Sequence, residues 1–271
     1  MRRLASICAG PWPHSASDRV GGALTQSDDT EAAWIERARR LTAFECEVTF
    51  GLQSSFYIGP ANDFTAADWQ AAHLPLPPVD LPRRFADRIT TTELLGQEAP
   101  LIDYYRQVVS LAERHGKRSS LRPFPYFRTE PAVIADGAVL TELPWNDDVN
   151  DTWGLLTAFV EAGTGPDRLI HCDVGQGWEI LVVTKAAATC WIEWDAEGPP
   201  PAEGGFAADR EELAQLAQAA LIRMRTLHAR LIDALGHDYW TYRPPEAPTP
   251  ARVADRVRRL LGSLFRRPSR R

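Results

Sequence analysis

Three apolar segments in the second half of the chain are the strongest constraint on its fold. They cover residues 168–174, 178–184 and 189–195, and their length and composition are typical of β-strands. The two connections, residues 175–177 and 185–188, are too short for the crossover that parallel strands need. The three strands must therefore pair antiparallel, as a meander.

Helices accompany this predicted meander. Apolar residues recur every three or four positions from 209 to 235, which indicates one buried face of a long helix that Gly236 ends. The Asp136-Gly137 pair predicts a β-hairpin. Strands come in runs and helices in blocks, so the predicted fold class is α+β, with an antiparallel sheet (meander 168–195 plus hairpins) packed against helices, including the long helix 209–235. Shorter helices are predicted over 31–42, 65–73, 99–115 and 148–162, and shorter strands over 44–50, 54–59 and 124–128.

Charge divides the chain into a body and a tail. Residues 251–271 hold eight arginines and one acid, a net charge of +7, whereas the whole chain carries −6, which leaves −13 for the rest. Four prolines lie between the two parts. We therefore predict a disordered leader over 1–28, a single α+β domain over 29–243, a Pro-rich linker over 244–250 and a basic amphipathic tail over 251–271. A targeting role for the leader stays open.

The tail has the spacing of an amphipathic helix. Its apolar residues fall at helical intervals from Val253 to Phe265, with arginines over much of the remaining surface. Such a segment can lie on anionic lipid, dock in a partner's groove, or rest on the acidic body. Nucleic acid is not expected, because the acidic body would repel phosphate. The predicted contact residues of the tail are Arg252, Arg256, Arg259, Leu260, Leu264 and Phe265.

One face of the meander is the candidate site. Side chains alternate between the two faces of a strand, and grouping like with like gives an apolar face for the core and a polar face for solvent. The predicted polar face carries His171, Asp173, Glu179, Trp191, Glu193 and Asp195. All of these except His171 are candidates for binding a protein. His171, Asp173 and Glu193 are candidates for acid–base catalysis, because crowded carboxyl groups have pKa values that differ. A merely solvated face is the simplest alternative.

Motifs for catalysis, metals and cofactors are missing from the sequence. It contains no nucleophile elbow, zinc-protease motif or P-loop, and no two of the four cysteines form a C-x-x-C pair. Gly175-Gln176-Gly177 precedes a strand, so it indicates a turn and not a phosphate loop. His228 lies beside the apolar stripe of the long helix and is interpreted as a packing residue. We predict no metal and no cofactor.

These observations favour a non-enzymatic protein-binding domain. An acidic body suits a basic protein partner, because opposite charges speed association. A bacterial immunity-type inhibitor of a basic toxin has this build. The alternatives are a metal-assisted or acid–base enzyme that uses His171, Asp173 and Glu193, and a peripheral membrane protein held by the tail. No apolar run approaches the roughly 20 residues of a membrane span, so we expect a cytoplasmic protein.

Overall fold

Two main β-sheets share one set of helices. The computed structural model describes residues 28–59, 65–141, 148–175, 178–195 and 203–241. The strands are β1 (Arg39–Arg40), β2 (Glu45–Gly51), β3 (Ser55–Tyr57), β4 (His73–Pro75), β5 (Arg88–Thr90), β6 (Thr129–Ala135), β7 (Ala138–Thr141), β8 (Arg168–Gly175), β9 (Trp178–Lys185), β10 (Ala188–Asp195) and β11 (Phe206–Asp209). The helices are α1 (Asp28–Arg37), α2 (Ala66–Ala71), α3 (Thr91–Leu94), α4 (Ala99–Arg114), α5 (Val149–Ala162) and α6 (Arg210–Leu235).

The predicted meander forms most of the larger sheet. Its strand order is β1-β11-β10-β9-β8, and β8, β9 and β10 pair antiparallel as expected. Strand β11 continues the antiparallel pattern, whereas the two-residue β1 pairs with it in parallel. A register shift near Ile170 interrupts the pairing of β8 with β9.

A second, antiparallel sheet has the order β5-β2-β6-β7. The hairpin at Asp136-Gly137 is confirmed, and both residues have positive φ, at 53° and 77°. A two-residue turn of this kind requires that conformation, which explains the Asp-Gly pair. Strands β3 and β4 pair separately as a small ribbon.

Helix α6 is the longest element. The Asp209 carboxylate accepts hydrogen bonds from the amides of Glu211 and Glu212, both at 3.0 Å, and caps its first turn. Gly236, with φ of 68°, ends the helix in the left-handed conformation. The helix contacts α5 and strands of both sheets, so its buried face packs against both sheets. Its buried residues are Leu213, Ala217, Ala220, Leu221, Met224, Leu227, His228 and Leu231.

Two apolar clusters cover the larger sheet on both faces. The main cluster includes Phe50 from the four-stranded sheet, Val182 and Trp191 from the five-stranded sheet, and residues of α4, α5 and α6. A smaller cluster forms around Trp34 on the opposite face. A Cβ atom at Gly205 would lie 2.7 Å from Trp34 Cε3, so a glycine there lets the indole approach. The predicted α+β class is confirmed.

Several local predictions were wrong where tertiary pairing overrides local pattern. The helix predicted over 31–42 ends at Arg37, because the next residues join the sheet as β1. The strand predicted over 54–59 is present but covers only Ser55–Tyr57, and it pairs with β4. No strand forms over 124–128. The predicted linker and tail, residues 244–271, lie outside the described residues, as does the leader up to residue 27. Within the described ranges no helix is long and apolar enough to cross a membrane.

A buried hydrogen bond between the two sheets gives a test of this packing. The Trp191 indole N–H donates to Thr141 Oγ1 at 2.6 Å, and both residues are buried. Thr141→Val keeps the shape but leaves the indole N–H without its acceptor, so we expect a loss of about 1–3 kcal/mol in the free energy of unfolding. Urea denaturation measures it. The matched change at exposed Thr42, Thr42→Val, should cost less than about 0.5 kcal/mol. Equal stability of the two variants would contradict the packing.

Candidate functional site

The structure corrects the predicted polar face of the meander. Trp191 is fully buried, with its ring 5.4 Å from that of Phe159 on α5, and it cannot meet a partner. Glu179 pairs in register with Trp194, and residues directly opposite each other share a face, so Glu179 belongs to the opposite face. In the register His171 lies opposite Val182 and Asp173 lies opposite Ile180, and these two residues of β9 are buried in the main cluster. The structure therefore removes Trp191 from the predicted polar surface and moves Glu179 to the other face. The register leaves the remaining predicted residues, His171, Asp173, Glu193 and Asp195, at positions that share one face.

The alternation of side chains along a strand shows which residues share a face, but it does not show whether another element covers that face. The Trp34 cluster packs on Cys190, Ile192 and Trp194, while α5 and α6 cover the other side. Both faces are therefore apolar in the middle of the sheet. The acidic and basic residues of β8, β9 and β10 lie toward its two ends, whereas His171 lies in a middle row.

The four predicted acidic residues lie at one end of the meander, three of them at positions on one face and Glu179 on the other face. Asp173 and Glu193 flank Ile180 in one row of the register, Glu179 lies in the next row, and Asp195 in the row after that. At the usual strand spacings these positions fall within about 10 Å across the sheet and about 7 Å along it. We call Asp173, Glu179, Glu193 and Asp195 the acidic end. The side chains of Asp173 and Asp195 lie outside the described part of the structure.

The opposite end of the meander carries its basic residues. Between 148 and 195 the chain has eight acids and only two bases, a net charge of −6. Those two bases, Arg168 and Lys185, lie in the first rows of the register, away from the acidic end. Charge is therefore separated along the strands of the meander.

A buried carboxylate lies on β2 of the other sheet. Glu47 is 3% exposed and accepts hydrogen bonds from the Thr91 hydroxyl at 2.6 Å, from the Thr92 hydroxyl and from Arg223 Nη2 at 2.8 Å. Arg223 also donates to the carbonyl of Cys46. These contacts tie strand β2, helix α3 and helix α6 together around one ion pair.

A second buried carboxylate, Glu130 on β6, contacts two arginines. Arg88 Nη1 donates to Glu130 Oε2 at 3.2 Å. Arg128 Nε lies 3.1 Å from Glu130 Oε1, an ion-pair contact without hydrogen-bond alignment. Arg88 also pairs with Asp87, whose pKa it holds below the usual range. Both carboxylates are thus neutralised by fixed arginines, which suits a structural role better than proton transfer.

Nucleophilic and metal chemistry find little support in the described part of the chain. Burial raises the pKa of the Cys46 thiol to about 12 and also raises that of Cys190, so neither thiol ionises near neutral pH. No group of three or more His, Cys, Asp or Glu side chains is placed to hold a metal ion among the described residues.

His228 is a packing residue, as predicted. It is 7% exposed and lies between the rings of Trp153 and Trp240, with Nε2 3.3 Å from Asp238 Oδ1. The same Asp238 oxygen accepts hydrogen bonds from the amides of Trp240 and Thr241. The pair therefore holds the segment after α6 against the core, where Trp240 is fully buried.

A cleft of about 350 Å³ opens beside Asp87, the carboxylate that pairs with Arg88. Hydrogen bonds fix its walls: the Tyr104 hydroxyl accepts from the Gln53 amide at 2.8 Å, and Arg83 Nη1 donates to the Val79 carbonyl at 2.6 Å. Burial raises the pKa of Tyr104 to about 12, so its hydroxyl stays protonated. The polar lining residues are Gln53, Ser54, Arg83, Asp87 and Tyr104, and the apolar ones are Leu52, Leu76, Pro77, Pro78, Val79 and Ala86.

The sequence alone did not reveal the cleft or the buried ion pairs. The cleft lies in a proline-rich segment without periodicity, so no pattern indicated that Arg83 and Asp87 share a cavity. Glu47 and Arg223 are 176 residues apart, and no local signal connects them. Only the polar residue in the otherwise buried strand β2 pointed to an unusual partner for Glu47.

Comparison with known proteins adds no relative. No family model, no curated protein and no solved structure matches this chain. Function must therefore be argued from the geometry and charges described above.

Removing Arg223 tests the structural role of the Glu47 pair. Arg223→Met leaves the buried Glu47 carboxylate without its cation, so we expect a loss of about 2–4 kcal/mol in the free energy of unfolding. Arg114→Met, at an exposed helical arginine, is the matched control and should cost about 0.5 kcal/mol or less. Denaturant titration measures the free energy of unfolding of both variants. A loss at Arg223 no larger than that of the control would show that the Arg223–Glu47 pair does not stabilise the fold.

The pKa of Asp238 predicts how stability changes in acid. Burial works against ionisation, but hydrogen bonds from Thr241 and Trp240 and the nearby His228 outweigh it and lower the pKa. A group with a lowered pKa stabilises the fold above its unfolded pKa of about 4, and this contribution disappears as the pH falls through the folded value. Asp238→Asn should therefore lower Tm at neutral pH, with a difference that shrinks below about pH 4. Melting curves of both proteins measure this difference in Tm, and a difference that stays constant as the pH falls would contradict the expectation.

Proposed function

We propose that this protein is a non-enzymatic binding protein that recognises a basic protein partner through the acidic end of its meander. The observation that supports the proposal is the separation of charge along β8, β9 and β10. Four acids occupy three consecutive rows at one end, and those rows contain no basic residue.

Electrostatics gives the physical reason. Carboxylates held within about 10 Å repel one another and cost the free protein stability. A partner that brings cations to this end relieves the repulsion, and the opposite fields also speed its approach. Buried neighbours on both faces hold these strands in place, since Ile180 is 1% exposed and Trp194 is 7% exposed.

An immunity-type inhibitor of a basic toxin is the protein class that fits this proposal, acting in the cytoplasm. Such an inhibitor needs a rigid acidic surface and no chemistry of its own. The resemblance is one of charge and build, and a similar build does not establish a function. A basic toxin encoded by an adjacent gene is the first partner to test.

An enzyme that uses His171, Asp173 and Glu193 remains the second candidate. The register favours it in one respect, because Asp173 and Glu193 lie in the same row on either side of Ile180. That arrangement separates the two positions by two strand spacings, about 10 Å, which is too far for a direct hydrogen bond between their carboxyl groups. Binding therefore fits the geometry better than shared proton chemistry.

Matched charge variants test the proposal. One variant neutralises the acidic end with Asp173→Asn, Glu179→Gln, Glu193→Gln and Asp195→Asn. The control neutralises four exposed acids elsewhere, with Glu36→Gln, Asp80→Asn, Glu203→Gln and Asp233→Asn, and it has the same net charge. The probe is a deca-lysine peptide, titrated by calorimetry at low ionic strength, where surface charge pairs are least screened.

We expect the first variant to bind the peptide at least about tenfold more weakly than the wild type, and the control to stay within about threefold. Equal weakening in both variants would mean that only net charge matters and would remove the acidic end as a site. A folded first variant with unchanged binding would have the same consequence.

A further inference from the structure

The cleft beside Asp87 contains the guanidinium group of Arg83. Arg83 is half-buried and lines the cleft, and within the described ranges it forms no ion pair. Arg83 Nη1 donates a hydrogen bond to the Val79 carbonyl, and the other guanidinium donors can serve a ligand. A guanidinium group presents parallel donors that match a carboxylate.

An anion is present in the same cleft. The Asp87 side chain is 61% exposed, and its pKa is lowered by hydrogen bonds from Arg88, so it is ionised at neutral pH. Arg88 donates one hydrogen bond to each Asp87 oxygen, and a carboxylate oxygen has lone pairs for a further donor. The cleft therefore offers one positive and one negative group.

The remaining wall is apolar and already shaped. Leu76 and Val79 are buried, and Pro77 and Pro78 restrict the backbone beside them. The Leu76 amide donates to the Ser54 carbonyl at 2.9 Å, and the Leu52 amide donates to the Asp87 carbonyl at 2.7 Å. A preformed wall lowers the cost of ordering on binding, and the cleft volume lies near the lower limit of ligand sites.

We infer that this cleft binds a free apolar amino acid, with its carboxylate on Arg83, its ammonium on Asp87 and its side chain against Leu76 and Val79. A peptide terminus offers only one of the two charges, so the pair of groups selects the free amino acid. Phosphate is disfavoured, because Asp87 would repel a dianion. This site does not depend on the proposed function at the acidic end.

Three ligands that differ by one charge test the inference. L-leucine carries both charges, leucinamide lacks the carboxylate, and N-acetylleucine lacks the ammonium. Binding to the full chain is followed by the NMR shifts of Val79 and Ala86 amides. We expect L-leucine to bind and each derivative to bind at least about tenfold more weakly. No binding of L-leucine at millimolar concentration, or equal binding of all three, would overturn the inference.

Variants assign the two charges to residues. Arg83→Gln keeps an amide that can donate to the Val79 carbonyl, so the wall should survive while L-leucine binding falls at least about tenfold. Arg114→Gln is the matched control and should bind normally. Asp87→Asn should abolish the preference for L-leucine over N-acetylleucine, an effect that mere loosening of the wall would not produce.

Circular dichroism of the variants and a phosphate titration complete the experiment. If a variant fails to fold by circular dichroism, the three-ligand comparison on the wild type decides alone. Inorganic phosphate is titrated in parallel, and binding of phosphate tighter than that of L-leucine would contradict the role given to Asp87. Normal L-leucine binding in folded Arg83→Gln would remove Arg83 from the site.

Discussion

Burial of helix α6 against both sheets is the interaction on which the rest of the structure depends. An isolated helix is marginally stable in water, so α6 persists because its apolar face packs on α5 and on strands of each sheet. Leu221 and Met224 lie in the cluster that also contains Phe50 of one sheet and Trp191 of the other. Neither sheet can bury its inner face fully without this helix, which makes α6 the common support of the fold.

The same packing decides where charges can act. Arg223 on α6 reaches the buried Glu47, and Arg88 and Arg128 surround the buried Glu130. Charges in the interior are costly unless paired, so these groups are committed to holding elements in place. The charged groups of the acidic end and of the cleft lined by Arg83 and Asp87 lie outside these buried ion pairs. In the proposed function, recognition would depend on charge that is held on a rigid frame.

Local patterns predicted much of the fold but little of the sites. The meander could be predicted because its short turns force antiparallel pairing. The ends of α6 could be predicted because Asp209 and Gly236 are typical capping residues. The parallel pairing of β1 with β11 joins residues far apart in the chain and leaves no periodic trace. Alternation grouped Asp173, Glu193 and Asp195 on one face, as the register does, but it placed Glu179 and the buried Trp191 with them on an exposed surface. Alternation shows which side chains point to the same face of a strand. It does not show that Trp34 packs on one face and α5 on the other, because those contacts form only in the folded chain.

Native-state hydrogen exchange tests most directly the claim that α6 joins both sheets into one cooperative unit. Amides in α6, β2 and β9 should exchange with a common free energy equal to that of global unfolding, because separating either sheet exposes the shared helix face. That result would also support the predicted single domain over residues 29–243. If β9 and β10 open at a clearly lower free energy than β2 while α6 stays protected, the two sheets unfold separately and α6 does not couple them.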